Sequence, residues 1–138
     1  DGSKHTPVLL HRAALGSFER FIGILLENYE GKLPLWLSPT QTVIAAITDE
    51  ANDYAEELNK TLLSHKLRTE VDIRNEQISY KVREHSLNKV PYILAVGKKE
   101  VADKTVSVRK LGSDKNTIMS ADDFIKEIVS GSKDPLDT

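Results

Sequence analysis

The chain has no cysteine among its 138 residues. Disulfides, thiolate metal sites and cysteine nucleophiles are therefore excluded. No apolar run approaches the roughly 18 to 20 residues that cross a bilayer, so no membrane span is expected. Asp1 to Lys4 is polar and no apolar stretch of signal type follows, so no secretory signal is expected either; a cytoplasmic location is compatible with both. The phosphate-binding glycine loop, the dinucleotide glycine fingerprint, the paired-histidine zinc helix and the nucleophile elbow are all missing. As a self-contained enzyme the chain offers little. A net charge of −2 does not mark a nucleic-acid binder, although a slightly acidic total can hide a local basic surface.

What is present suits one small globular unit with a short attachment: 39% hydrophobic and 29% charged residues are enough to close one core. Pro7-Val8-Leu9-Leu10-His11 reads as a buried strand. Ser17 suits a helix N-cap, and Phe18, Phe21, Ile22, Leu25, Leu26 and Tyr29 follow at helical spacing up to Gly31. Pro34 and Pro39 then forbid a continuous helix. Residues 31–40 read as a connection whose Leu35-Trp36-Leu37 packs.

From residue 41 the pattern alternates. Val43 to Ile47, Val71 to Ile73 and Tyr92 to Val96 read as strands. Between them come a helix with the inner stripe Ala51, Tyr54, Ala55, Leu58 and Leu62, and another with Ile78, Val82 and His85 on one face. Thr105 to Lys110 alternates like a half-exposed strand. Gly112-Ser113-Asp114 turns the chain, and Thr117 to Met119 returns as an edge strand. Ser120 with Asp123 opens a last helix carrying Phe124, Ile125, Ile128 and Val129, and residues 131–138 read as a tail. The expected fold is α/β: a mixed, mainly parallel five-stranded sheet with helices on both faces.

Three segments carry polar groups suited to chemistry. Arg20, on the first helix beside Glu19, can stack on a base or pair with phosphate; the plain alternative is a surface ion pair. A lone His11 cannot make a zinc site, which needs at least three protein ligands. Beyond Val71-Asp72-Ile73 lies Arg74-Asn75-Glu76-Gln77, at the strand end where open α/β sheets bind ligands. The helix that follows shows Ser79, Arg83 and Ser86 on one face, with Lys81 and Lys89 adding positive charge. Asn75 has the donors and acceptor that reading a base edge requires; a solvated helix face is the alternative. Between Lys98 and Lys115 there are six basic and three acidic residues. Glu100 there can accept from a base, or these charges simply discourage edge aggregation. His5, His65 and His85 share no ligand spacing.

The block from His11 to Gly23, HRAALGSFERFIG, resembles motif 3 of the class II aminoacyl-tRNA synthetases in its threonyl form. Trp36-Leu37-Ser38-Pro39, Asp72 to Glu76, Lys81 to Leu87, Val90-Pro91-Tyr92 and Lys99-Glu100-Val101 are similar to the same family in order, so the likeness runs from about Pro7 to about Val129. The resemblance implies the C-terminal end of a threonyl-tRNA synthetase. Residues 1–30 would be the last piece of the catalytic domain, 31–40 a connection, 41–130 an anticodon-binding domain and 131–138 a tail. The complete enzyme would join threonine to tRNA with ATP and magnesium in protein biosynthesis, as a cytoplasmic homodimer.

By the same resemblance Arg20 would contact ATP, with Ser17 on the same active-site wall. His11 would be one of three zinc ligands, the other two lying outside this sequence. Asn75, Arg83, Glu100 and Arg109 would bind the anticodon stem-loop of tRNA(Thr). No cofactor is expected in this piece, and alone it should be inactive. Asn88-Lys89 stands where the family often has two arginines, and the stretch after Arg109 is less basic than usual; both changes would weaken phosphate contacts without altering base choice. A different class of function remains open: a stand-alone synthetase-derived module that binds protein or regulatory RNA.

Overall fold

A computed structural model describes residues 2–133. The chain divides into two compact units, Asp1–Gly31 and Lys32–Thr138. The predicted tail at 134–138 lies outside the described residues.

In the first unit one helix forms, α1 (Phe18–Asn28), with the Ser17 side chain accepting from the Arg20 amide at 3.2 Å as the sequence suggests. None of its residues is buried, and Phe18 and Ile22 are more than half exposed. The strand expected at 7–11 does not form: Val8, Leu9 and Leu10 are exposed in an irregular segment. Apolar β-formers alone do not make a strand, because its amides and carbonyls need a neighbouring strand to bond.

In the second unit the sheet is built from β1 (Thr42–Ala46), β2 (Thr69–Asp72), β3 (Tyr92–Val96), β4 (Thr105–Lys110) and β5 (Asn116–Ser120), in the spatial order β2-β1-β3-β4-β5. The first two pairings beside β1 are parallel, those on either side of β4 antiparallel. Four of the five strands thus run one way and only β4 opposes them. The helices are α2 (Asn52–Ser64), α3 (Ile78–Leu87), α4 (Lys98–Asp103) and α5 (Ala121–Gly131).

Side chains alternate across each strand, and the two faces are covered differently. Ile44, Ala46, Leu94, Val96, Val106 and Val108 meet Tyr54, Leu58 and Leu62 of α2 and Phe124 and Ile128 of α5 in one core cluster. Phe124 is fully buried and meets Tyr92 edge to face at 5.7 Å between ring centres. On the opposite face α3 packs chiefly on β1 and β3. That leaves the neighbouring part of β4 and β5 uncovered.

The connection at 31–40 belongs to this unit. Leu35–Leu37 forms a 3₁₀ turn, and Leu35 packs on the core. Gln41 is buried, donating to Leu35 O at 2.9 Å and accepting from the Arg68 amide at 2.9 Å. The Arg68 guanidinium closes the loop with bonds to Ser38 O and Trp36 O. Every buried polar group here has a partner, which is what lets a proline-bounded loop pack.

Candidate anticodon interface

The chain leaves β1 to cross over to β2 on one side, and leaves β2 to reach β3 on the other. In open α/β sheets such a reversal opens a crevice at the carboxyl ends of the strands. Asn75 and Glu100 stand beyond the ends of β2 and β3, on either side of the end of β1.

Asn75 is exposed and lines an open hollow with the segments Ala46 to Asp49 and Ile73 to Glu76 and with Asn52. Its side chain has no bonding partner among the described residues. Thr48 Oγ1, in the same hollow, is buried without a hydrogen-bond partner. Such an orphaned group is rare in a folded protein and calls for a reason.

Glu100 is half-buried in the first turn of α4, where its Oε2 accepts from the Gly97 amide at 3.0 Å. A Cβ on Gly97 would lie 3.2 Å from Ile47 Cδ1 and 3.3 Å from Glu100 Oε2. Glycine at 97 therefore leaves room for both the Glu100 carboxylate and Ile47, a wall of the Asn75 hollow. Lys98, Lys99 and Glu100, for which no helix is expected from the sequence, lie in this short helix. Glu100 is positioned by its own capping bond rather than carried on a loop tip.

Arg83 and Arg109 meet in a second groove, about 430 Å³, with Ser79, Val82, Ser86 and Leu87. It lies where α3 ends its cover of the sheet, and it continues past Ser79, Val82 and Arg109 to Ser107 and Asn116. Arg83 is exposed with no partner among the described residues. Arg109 donates to Asp114 at 2.8 Å, an ion pair whose acid is fully exposed. The four expected residues therefore do not share one hollow: Arg83 and Arg109 share a groove, while Asn75 and Glu100 flank the strand ends.

Lys81 does not add positive charge to this surface. It is buried on α3, and its Nζ donates to Ala46 O at 2.8 Å and Asp72 O at 3.1 Å. Asp72, also buried, accepts from the Arg74 guanidinium at 2.7 and 3.0 Å and lies 2.8 Å from His85 Nε2. The Arg74 guanidinium, with His85 assisting, holds the Asp72 carboxyl well below the usual carboxylate range. Asp72 and Glu84 in turn push Arg74 above its ordinary value. Lys110 is engaged too, bonded to Glu127 at 2.7 Å.

In the first unit the Arg20 and His11 side chains are exposed, and Ser17 serves as the cap of α1. Among the described residues no three histidine, aspartate or glutamate side chains gather where a metal ion could sit. One histidine does not fit a zinc site, which needs at least three protein ligands. Among the described residues no helix is long and apolar enough to cross a membrane.

The site is thus an open sheet-end crevice flanked by an amide and a carboxylate, with the Arg83 guanidinium on α3 and the Arg109 guanidinium on β4 in the adjoining groove. The chain belongs to the family described as "Anticodon binding domain", which matches residues 41–131.

Within that family it is similar to threonine–tRNA ligases. It is 56% identical over 135 residues to the one from a Ruegeria species, covering 98% of this chain and 21% of that protein. It is 56% identical over 126 residues to that of the Wolbachia of Brugia malayi, covering 91% of this chain and 20% of that protein. A crystal structure titled as the RNA binding domain of threonyl-tRNA synthetase from Cryptosporidium parvum superposes with a TM-score of 0.79. It is 33% identical and covers 88% of this chain and 30% of that one. The chain thus spans about a fifth of the length of the curated relatives it matches.

Proposed function

We propose that this chain is the anticodon-binding module of a threonine–tRNA ligase, and that Asn75, Arg83, Glu100 and Arg109 grip the unstacked anticodon of tRNA(Thr). The observation that carries this reading is the pairing of an unengaged base-reading amide, Asn75, with an unengaged guanidinium, Arg83, on a surface otherwise rich in internally satisfied charges. Single-stranded bases are recognised by hydrogen bonds to their edges and by stacking on planar groups such as guanidinium. Asn75 offers donors and an acceptor, Glu100 keeps Oε1 for a base amino or imino group, and Arg83 and Arg109 serve for stacking or phosphate. The Arg109–Asp114 pair is exposed on its acid side and so worth little, about 0 to 1 kcal/mol. Arg109 can exchange it for RNA at small cost.

The whole protein would join threonine to tRNA with ATP and magnesium, as a cytoplasmic homodimer. Arg20 would contact ATP beside Ser17, and His11 would supply one of three zinc ligands. Residues 1–30 would be catalytic-domain sequence, 31–40 a connection and 41–130 the anticodon domain. With no assembled catalytic constellation, this chain should show no threonine-dependent ATP–pyrophosphate exchange; exchange by the pure chain would overturn that.

The deciding experiment is titration of threonine anticodon stem-loops with each anticodon base varied in turn. Arg109→Ala and Glu100→Gln should each blunt discrimination at one position by roughly tenfold while leaving the fold intact. Binding that ignores the anticodon sequence would favour a protein or regulatory-RNA module instead.

A further inference from the structure

Among the described residues Lys81 is the largest fully buried side chain, at 1% exposure. A buried ammonium is tolerated only when it is paired and hydrogen-bonded. The partners of this one are specific. It donates to the carbonyls of Ala46 and Asp72, the last residues of the adjacent strands β1 and β2, and stands 3.7 Å from the Asp72 carboxylate. Beyond those two carbonyls the chain leaves the sheet as the segments 47–49 and 73–76, which wall the hollow holding Asn75. The ammonium therefore ties together the floor of that hollow.

The second half of the device lies in the chain around Asn75. The Asp72 carboxylate accepts from the Arg74 amide at 3.2 Å, from Arg74 Nε at 3.0 Å and from Arg74 Nη2 at 2.7 Å, and meets His85 of α3 at 2.8 Å. Arg74 also bonds Glu84 of α3 at 2.8 Å, and the Glu76 amide bonds Arg74 O at 2.8 Å. Arg74, which precedes Asn75, is thus fixed to β2 and α3, and the Glu76 amide closes a turn back onto Arg74 across Asn75, while the Asn75 side chain is left without a partner among the described residues. A recognition group with no bond of its own, carried in a closed turn whose first residue is anchored to a strand and a helix, is pre-organised rather than fitted on contact.

We propose that Lys81, Asp72, Arg74 and His85 are positioning residues that hold the Asn75 segment in the geometry base reading needs, so that part of the anticodon selectivity is set by groups that touch no RNA. This rests on the reading of Asn75 given above and extends it inward.

The test uses the full chain and stem-loops varied at each anticodon position. Asn75→Ala first identifies the position at which discrimination falls. Arg74→Ala removes the chief partner of the buried Asp72 carboxylate and so should lower the unfolding temperature; assayed well below that transition, it should cut discrimination at that same position by roughly tenfold. In the Asn75→Ala background it should remove no further discrimination, because the two act through one group. The salt dependence of binding should be unchanged, since a lost phosphate contact would lower the slope by about one unit. Lys81→Met should act in the same way if it folds; if it does not, Arg74→Ala alone decides.

Uniform weakening of all stem-loops with an unchanged ratio, or a loss additive to that of Asn75→Ala, would overturn the proposal while leaving the anticodon reading standing. No loss of discrimination in Asn75→Ala itself would remove Asn75 from the site, and this inference with it.

Discussion

At the scale of single residues, Asp72 carries the largest electrostatic load. Its carboxylate is buried yet fully bonded, and its proton affinity is depressed chiefly by Arg74 and then by His85. A depressed carboxyl contributes stability that is complete above its unfolded value, near 3.9, and is lost as pH falls through the folded one. Asp72→Asn should cost about 3 kcal/mol at pH 7, because it strands a buried ammonium beside a neutral amide. Urea unfolding of both proteins across pH 7 to 2 should show the gap holding down to about pH 5 and narrowing below pH 4. A gap independent of pH would mean that packing, not charge, dominates.

Lys81 shows how such a network can be legible and still be misread. It stands three residues after Ile78 and four before His85, on the inner stripe of α3 that the spacing itself defines. Its charge reads as an addition to the surface, and the face drawn through Ile78, Val82 and His85 leaves it out. What the sequence could not supply were the Ala46 and Asp72 carbonyls that receive it, because strand-end geometry is not written in spacing. Asn75 and Arg83 were legible because their chemistry needs no partner within the chain.

At the scale of elements, helix ends explain most of what the sequence concealed. Glycine at the residue after a helix is the usual stop, but here left-handed backbone is taken by Glu30, Lys66 and Lys89 after α1, α2 and α3, and by Lys104 at the end of α4. After α2 the Lys66 amide bonds Leu63 O and the Leu67 amide bonds Leu62 O, a doubly bonded cap closed by contact of two buried leucines. Because Lys104 ends a helix of six residues, α4 carried neither a glycine stop nor enough turns to show a period. The five strands needed no such signal, since apolar β-formers between turn residues announce them. The failed strand at 7–11 used the same signal without a partner.

A charged residue in left-handed backbone costs energy that glycine does not, offset in part by glycine's greater freedom when unfolded. Lys66→Gly should therefore stabilise the protein by roughly 0.5–1 kcal/mol and raise the unfolding temperature by a few degrees in calorimetry. An unchanged or lower temperature would show that the lysine is relaxed there.

At the scale of the whole molecule, the two units differ in how they satisfy the hydrophobic effect. The unit from Lys32 onward closes its own core, with eighteen hydrophobic residues buried among those described, and even its proline-bounded entry is sealed by Gln41 and Arg68. The unit up to Gly31 buries none of its helix, and leaves Val8, Leu9, Leu10, Phe18 and Ile22 more than half exposed. Exposed apolar side chains in such number promote self-association. A chain beginning at Lys32 should consequently unfold at the same temperature, within about 2 °C given the few degrees that 1 kcal/mol commands, and bind the stem-loop as tightly, while sedimenting as a monomer at concentrations where the full chain associates. The choice of Lys32 matters to the outcome. A cut at residue 41 would remove Leu35 from the core and the carbonyls of Trp36 and Ser38 from Arg68, so the shorter chain should melt earlier. If both truncations melt alike, the segment 32–40 contributes nothing to the fold and the boundary belongs at 41.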